Sequence, residues 1–504
     1  MKVNRDAMRA TLSRDPRVED MMNGLQAVSR LPRRAYRDMR RTVALARVFV
    51  DEVVRPVYRE IDLAVHRDPE YVPEEFILEA SRRQIFSWWI PKLFGGHGMD
   101  FLGLYPFLEE IAATCTGLAN VIGVHYLGVG TLCASWNAPV INRVLRESCR
   151  GDRTGRPCLI SLAITEPEAG TDVEEPILLE RARVGTTATR VGGGYVLNGR
   201  KVFISNGHVS TWHMVIAYGD RRNPVDTTVM AAVKTGTAGF SFGRKEKKMG
   251  QKACVASELV FEDCFVPDAL ICTSPEQYGK SGKSQRAVAQ YLIDFVVSSS
   301  RAGVGAFAAG AARGAYETAL AYAREKRVGC APLISRQWAQ VTLAEMYKNV
   351  NTARTVYMES AFANAMKGMF KLLYMRPFYA MLRLLPPWYF TLFAQPFINT
   401  RMATRLFRTV YFEKYTDEEA QATSGWASLS KFACSDLAVE TASMALSLMG
   451  AHGTRHDSGA EKYYRDAKLL QIYEGTNQLN RLNLFKNLVA RDMPEVRLFG
   501  REDI

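Results

Sequence analysis

The chain changes its hydrophobic period twice, and this limits the folds open to it more than any single motif does. From Asp38 to about Gly151 the text is helical: "RRTVALARVFVDEVVRPVYREID" puts Val43, Ala46, Val50, Val53 and Val54 near one face. Between Pro157 and Pro267 the period falls to about two. There "WHMVIAYGD", "TTVMAAVKT" and "ASELVFEDCFVP" read as strands, and Asn198-Gly199 in "GYVLNGRKVFISNG" reads as a hairpin turn. After a loop at about 273–283, helical text returns in "RAGVGAFAAGAARGAYETALAYAREKR", whose small residues suit closely packed helices. A mainly antiparallel β block between two helical blocks is an α+β arrangement. With 504 residues and 47% hydrophobic content there is enough apolar material for two or three domains or layers.

The expected divisions follow. Residues 1–37 form a basic extension ending at the "SRLPRR" break, 38–156 a helical domain and 157–270 a β domain. Residues 284–365 and 416–490 form a helical bundle, and 491–504 a tail. The nine cysteines are odd in number and contain no CxxC pair, so neither a metal site nor a disulfide framework is expected, and a reducing cytosol is. The N-terminus lacks the apolar core of a secretory signal, and no unbroken run of about 18 apolar residues predicts an ordinary membrane span.

The net charge of +13 is compatible with nucleic acid, an anionic membrane or anionic small substrates such as coenzyme A esters. Much of the excess sits at 366–415, where Arg and Lys interleave with Phe, Tyr, Trp and Leu, and Glu413 is the single acid. The aliphatic content argues against a nucleic-acid groove. The segment is expected to be a membrane-interface element, a pair of amphipathic helices or a re-entrant hairpin with Trp388 and Tyr389 at the turn. The chain is then expected in the cytoplasm, peripheral on the inner face of the cytoplasmic membrane.

Near the C-terminus, "LLQIYEGTNQLNRLNLF" (469–485) sets one carboxylate, Glu474, at the close of an apolar run. It reads either as a helix start capped by Thr476 or Asn477, or as a base in a dry pocket. Three further stretches bear on the choice: "LAITEPEAGTDV" (162–173), "LNGRKVFISNG" (197–207) and "KKMGQKACVASELVFEDCFVP" (247–267). Together with "YYRDAKLLQIYEGTNQLNR" (463–481) they resemble the acyl-CoA dehydrogenase family in order and spacing, over roughly 39–365 and 416–490.

The resemblance implies an N-terminal helical domain, a central β domain and a C-terminal four-helix domain. It implies noncovalent FAD near a subunit interface of a homodimer or homotetramer. The reaction it implies is α,β-dehydrogenation of an acyl-CoA to the trans-2-enoyl-CoA, with electrons passing to an electron-transferring flavoprotein. An oxidase, a flavin monooxygenase or a non-catalytic membrane- or DNA-binding flavoprotein are the alternatives. Glu474 falls at the family's base; the position used by other members, before Arg301, holds Ser300. For the cofactor, the resemblance implies Leu162, Ile164 and Thr165 beneath the flavin, and Phe203, Ile204 and Ser205 beside it. Gly170 and Thr171 would line the flavin and pantetheine passage, and Thr476 and Gln478 would reach the adenosine half. Lys326, Arg327, Gln337, Gly450 and Gly453 would serve the pyrophosphate side. Arg301, Tyr473 and Gly475, with Thr171, would contact substrate. Two departures stand out: Gly329 replaces a Phe in "EKRVGCAPLISRQ", and Ala451 replaces a Gly in "LMGAHGT".

Overall fold

In the computed structural model, which describes residues 22–499 apart from 369, 492, 494 and 497, both changes of period become changes of layer. The first helices of eight residues or more are α1 (Asn23–Arg30), α2 (Arg33–Phe49), α3 (Tyr58–Arg67), α4 (Glu74–Arg82), α5 (Leu104–Ala134) and α6 (Ala138–Arg153). Ala46, Val50, Val53 and Val54 are buried, as the helical spacing requires. The break at "SRLPRR" does not end an extension. Pro32 starts α2 at Arg33, and α1 before it docks on a late helix, where the Gly24 N–H donates to Glu359 Oε1 at 3.0 Å. The rest of the expected extension, 1–21, lies outside the described residues.

The β domain is one eight-stranded sheet: β1 (Leu159–Ala163), β2 (Thr187–Val191), β3 (Gly194–Ser205), β4 (Ser210–Tyr218), β5 (Thr228–Lys234), β6 (Phe240–Lys245), β7 (Ala256–Pro267) and β8 (Ile271–Thr273). The order is β6-β7-β3-β2-β4-β5-β8, with β1 also on β4. It is antiparallel except at β4, which pairs in parallel with β1 and, at one residue pair, with β2. Asn198-Gly199 is not a hairpin turn. β3 runs straight through it, and its register with β7 slips between Leu197 and Gly199, as at a bulge. Gly199 has φ +139°, and a Cβ there would lie 2.6 Å from Thr186 Cα. Asn198 exchanges two hydrogen bonds with Asp263 across the slip. The hairpin lies six residues earlier, where Gly192-Gly193 joins Val191 to Gly194.

The bundle contains α7 (Gln285–Glu325), α8 (Gln337–Lys367), α11 (Asp417–Met449), α12 (Ala460–Leu470) and α13 (Asn477–Leu484). Its small residues allow close backbone approach. A Cβ on Gly305 would meet Ser430 Oγ at 2.2 Å, and one on Gly314 would meet the Ala113 carbonyl at 2.2 Å. By length and composition alone, the helical stretches 101–134, 285–325 and 417–452 could cross a membrane; the first two bury 83% and 72% of their most apolar windows inside the protein.

Between α8 and α11 the insertion folds into short helical pieces, the longest being α9 (Arg376–Leu384) and α10 (Arg401–Arg408). Two amphipathic helices are present as expected, but Trp388 and Tyr389 belong to a helical piece between them rather than to a tight turn. The inner side docks on the N-terminal domain. Asp100 is 3% exposed and accepts from the Tyr374 and Tyr379 hydroxyls at 2.5 and 2.9 Å. Arg383 pairs with the same carboxylate at 3.2 Å, and Phe370 stacks on Phe101 with centroids 3.8 Å apart.

Candidate active site

Three of the four motif stretches line one cavity of about 160 Å³ between α5, β3 and α7, and the fourth, 247–267, stands behind it through Gln251. Leu104, Leu108, Val124, Leu127 and Phe307 give it an apolar wall. Leu162, Ile164, Thr165, Phe203, Ile204 and Ser205 line the sheet side, and Tyr473 and Glu474 close it. A second cavity of about 100 Å³ shares Leu162, Ile164, Glu174 and Glu474, and runs along Ala289, Leu292 and Val296 of α7.

Glu474 stands where the two meet, on a backbone with φ +57°, a region that non-glycine residues seldom occupy. Its neighbours over-determine that conformation. The buried Arg301 guanidinium donates from Nε to the Glu474 carbonyl (3.2 Å), from Nη1 to Ser428 Oγ (3.1 Å) and from Nη2 to Glu174 Oε2 (2.9 Å). Asn480 Nδ2 donates to the same carbonyl at 3.2 Å. Ser300 Oγ donates to Glu474 Oε2 at 2.6 Å. Among the described residues nothing accepts from the Glu474 N–H, which leaves that donor available. Gly475 follows at φ +73°; a Cβ there would lie 2.8 Å from Glu174 Oε2. Thr476 then caps α13 by accepting from the Leu479 N–H at 3.3 Å. The helix start and the pocket carboxylate are thus one device.

Burial first, and then the like charge of Glu174, bring the Glu474 carboxyl from 4.5 up to about 7 against the opposing pull of the Ser300 hydrogen bond, Arg301 and Lys431. Lys431 is itself buried and pushed down to about 7, by burial first and then by Arg301; its Nζ donates to Asn477 Oδ1 at 2.7 Å.

Two buried ties hold the walls. Lys201, on β3, pairs with Glu166 at 2.7 Å and donates to the Ile164 carbonyl at 2.9 Å, pinning "LAITEPE" to "NGRKVF". Gln251 accepts from Asn120 Nδ2 (3.1 Å) and from the Tyr473 hydroxyl (3.2 Å), while its N–H donates to Asp466 Oδ1 at 2.5 Å. "KKMGQKA" therefore braces α5 and the "YYRDAKLLQIYEGT" run together.

Not every expected contact is here. Arg301 lies behind the Glu474 turn and lines neither cavity; its contacts are to the Glu474 carbonyl, Ser428 and Glu174. Gly475 is buried under that turn, while Tyr473 does line the first cavity. Gly170 and Thr171 lie on the loop before Glu174 and outside both linings, and Gln478 is exposed. Lys326, Arg327, Gln337, Gly450 and Gly453 gather at the far end of the bundle. Gly450 is roughly 30 Å from Lys431 along α11, at 1.5 Å per residue. Glu174 and Ser300 were not expected as site groups. Glu174 lies one residue past the 162–173 motif, in "TDVEEP", and its only sequence signal is a charge beside apolar text.

Phe203 tests whether an aromatic cofactor fits. Its neighbours Val202 and Ile204 are buried, yet Phe203 is 58% exposed and held at φ +59° beside Leu162 and Ile164. A ring kept in a strained conformation at the edge of an apolar floor suits the face of a flavin.

The comparisons agree. The chain matches the acyl-CoA dehydrogenase N-terminal domain over 37–152, the middle domain over 161–264 and the C-terminal domain over 291–373 and 397–489. It belongs to the acyl-CoA dehydrogenase family, and is an oxidoreductase whose cofactor is FAD. It is 27% identical over 443 residues to the probable acyl-CoA dehydrogenase FadE25 of Mycobacterium tuberculosis, covering 88% of this chain and 93% of that one. It is 26% identical over 450 residues to the acryloyl-CoA reductase (NADH) of Anaerotignum propionicum, covering 89% and 93%. A solved structure of the electron transferring flavoprotein of Acidaminococcus fermentans superposes with TM-score 0.67 at 25% identity, covering 90% and 98%.

Proposed function

We propose that this chain dehydrogenates an acyl-CoA thioester to the trans-2-enoyl-CoA, with Glu474 removing the α-proton. The observation that carries the reading is Glu474 itself: a carboxylate fixed by Arg301, Asn480 and Ser300 where two apolar cavities meet, with its pKa raised toward neutrality. A base so placed is ionised in useful proportion near pH 7 and is stronger than a solvated carboxylate. When bound, FAD supplies the acceptor for the hydride that leaves the β-carbon. The free Glu474 N–H is a donor for the thioester oxygen, where negative charge develops as the α-proton departs. The apolar wall from Leu104 to Phe307 takes the acyl group and excludes water. The second cavity, flanked by Val173 and Glu174 of the 162–173 loop, takes the pantetheine arm.

An electron-transferring flavoprotein is the proposed acceptor, supported by the likeness to the Acidaminococcus structure. A homodimer or homotetramer is supported by the distance between the two residue groups expected around FAD. The far group completes the site only if a second copy provides it.

The test is anaerobic mixing of the FAD-loaded protein with a panel of acyl-CoA esters, followed by flavin absorbance. Wild type bleaches with at least one ester. Glu474→Gln stays yellow and bleaches at least 1,000-fold more slowly, the scale of a lost general base with its positioning. Rapid bleaching of that variant would remove Glu474 from the role.

A further inference from the structure

The reaction leaves the outer side of the insertion unexplained. The C-terminal domain match breaks at 374–396, so this stretch is additional to what the family's chemistry needs. Its inner side is occupied by the contacts to Asp100 and Phe101. Exposed apolar side chains stand on α9, on the stretch around Trp388 and on α10. Met375, Phe378, Met381 and Leu384 recur every third residue, and Leu384 is 73% exposed. Trp388 and Leu392, both 62% exposed, are four apart, as are Met402 and Leu406 at 65% and 50%. Large apolar residues gathered at this density on a surface mark a binding face rather than ordinary exposure.

The charges indicate what covers it. Arg376, Arg401 and Arg405 are exposed and form no ion pair among the described residues. Glu413, the one acid of the segment, is already taken by Arg408 at 3.1 Å and by the Thr409 hydroxyl at 2.7 Å. A second copy meeting this face across a two-fold axis would set arginine against arginine with no acid between them. A surface that is apolar below and anionic above satisfies both halves.

We propose that the outer side of 375–406 docks on an anionic lipid bilayer. Leu384, Trp388, Leu392 and Phe393 enter the headgroup–acyl boundary, and Arg376, Arg401 and Arg405 meet lipid phosphates. Such attachment places the protein peripherally on the inner face of the cytoplasmic membrane. The inference stands apart from the assignment of Glu474, since no residue of this outer face lines either cavity.

The test uses the full-length, FAD-loaded protein and co-sedimentation with two kinds of vesicle, phosphatidylcholine alone and phosphatidylcholine with phosphatidylglycerol. Deletion of the segment is avoided, because Phe370 supports a cavity residue. Wild type sediments with the anionic vesicles, less so at high salt. Changing Arg376, Arg401 and Arg405 together to Gln weakens that binding on the order of 100-fold, at about fivefold per charge. Changing Leu384, Trp388, Leu392 and Phe393 to Ser abolishes binding to both vesicle types. Neither variant changes turnover of a soluble acyl-CoA. The proposal is overturned if wild type stays in solution with anionic vesicles, or if the arginine variant binds them as wild type does. It is also overturned if the apolar variant lowers the oligomer's mass in solution, since a second copy then covers the face.

Discussion

Replacing Glu174 with Gln isolates one contribution to the base. Glu474 is faced by Ser300 and Arg301 from α7, by Lys431 from α11 and by Glu174 from the turn at 171–174. Of these, only Glu174 raises its pKa; burial, the larger cause, is untouched by the variant. Removing the charge also leaves Arg301 without its carboxylate partner at 2.9 Å, which further favours ionised Glu474. Both effects have the same sign, so the pKa of Glu474 falls. A unit charge at this range, with partial compensation from Arg301, is worth about one pH unit, or about 1.4 kcal/mol. The base works only when deprotonated, so kcat/KM falls to half as pH drops through the pKa, near pH 7 in wild type. In Glu174→Gln that acid limb moves to about pH 6, while the plateau at high pH stays within about tenfold of wild type. The assay is kcat/KM across pH 5–9 with an artificial electron acceptor, and Glu174→Asp serves as the conservative control. An acid limb that stays in place, or moves to higher pH, refutes the like-charge argument. A collapsed plateau with an unmoved limb would show that Glu174 only holds Arg301.

Three further outcomes follow from the same geometry. Glu474 binds its proton more tightly folded than unfolded, so the folded state loses stability as pH rises from about 4.5 to about 7. Cofactor-free Glu474→Gln is therefore more stable than wild type by about 1–3 kcal/mol at pH 8 and equal to it at pH 4, as read by thermal melts. Gly475→Ala puts a Cβ 2.8 Å from Glu174 Oε2 at φ +73°; it costs about 1–2 kcal/mol and at least tenfold in kcat, and wild-type kinetics would sink the account of that turn. Lys201→Met strands Glu166 without its cation and costs about 3–5 kcal/mol in urea unfolding, whereas Lys201→Met with Glu166→Gln, which keeps an uncharged acceptor for the Gly185 and Thr186 N–H groups, recovers part of it.

What could be read in the sequence was whatever is local or periodic. Helical spacing located the valines of α2 and its continuation, and alternation located β4, β5 and β7. The Glu474 turn was legible because Gly475 and Thr476 carry its backbone signals within three residues. What escaped depends on neighbours far along the chain. Asn198-Gly199 has the composition of a hairpin turn, but Asp263 and Thr186, across the sheet, make it a bulge. Glu174 becomes a site group only because α7 brings Arg301 beside it. Arg301 was expected on substrate, and only the packing of α7 shows that it sits behind the Glu474 turn and lines neither cavity.

Asp100 sets an order on how the protein can be completed. Its hydroxyl partners, Tyr374 and Tyr379, lie 274 and 279 residues downstream. During synthesis the N-terminal domain emerges long before them, with a carboxylate prepared for a site that does not yet exist. Ribosomes add about 5–20 residues per second, so this gap lasts on the order of tens of seconds. Throughout it Phe101 lacks the stacking of Phe370, and one wall of the cavity has no backing. The N-terminal half is thus a template that waits for the insertion, and Tyr473 and Glu474, which close the cavity, come later still.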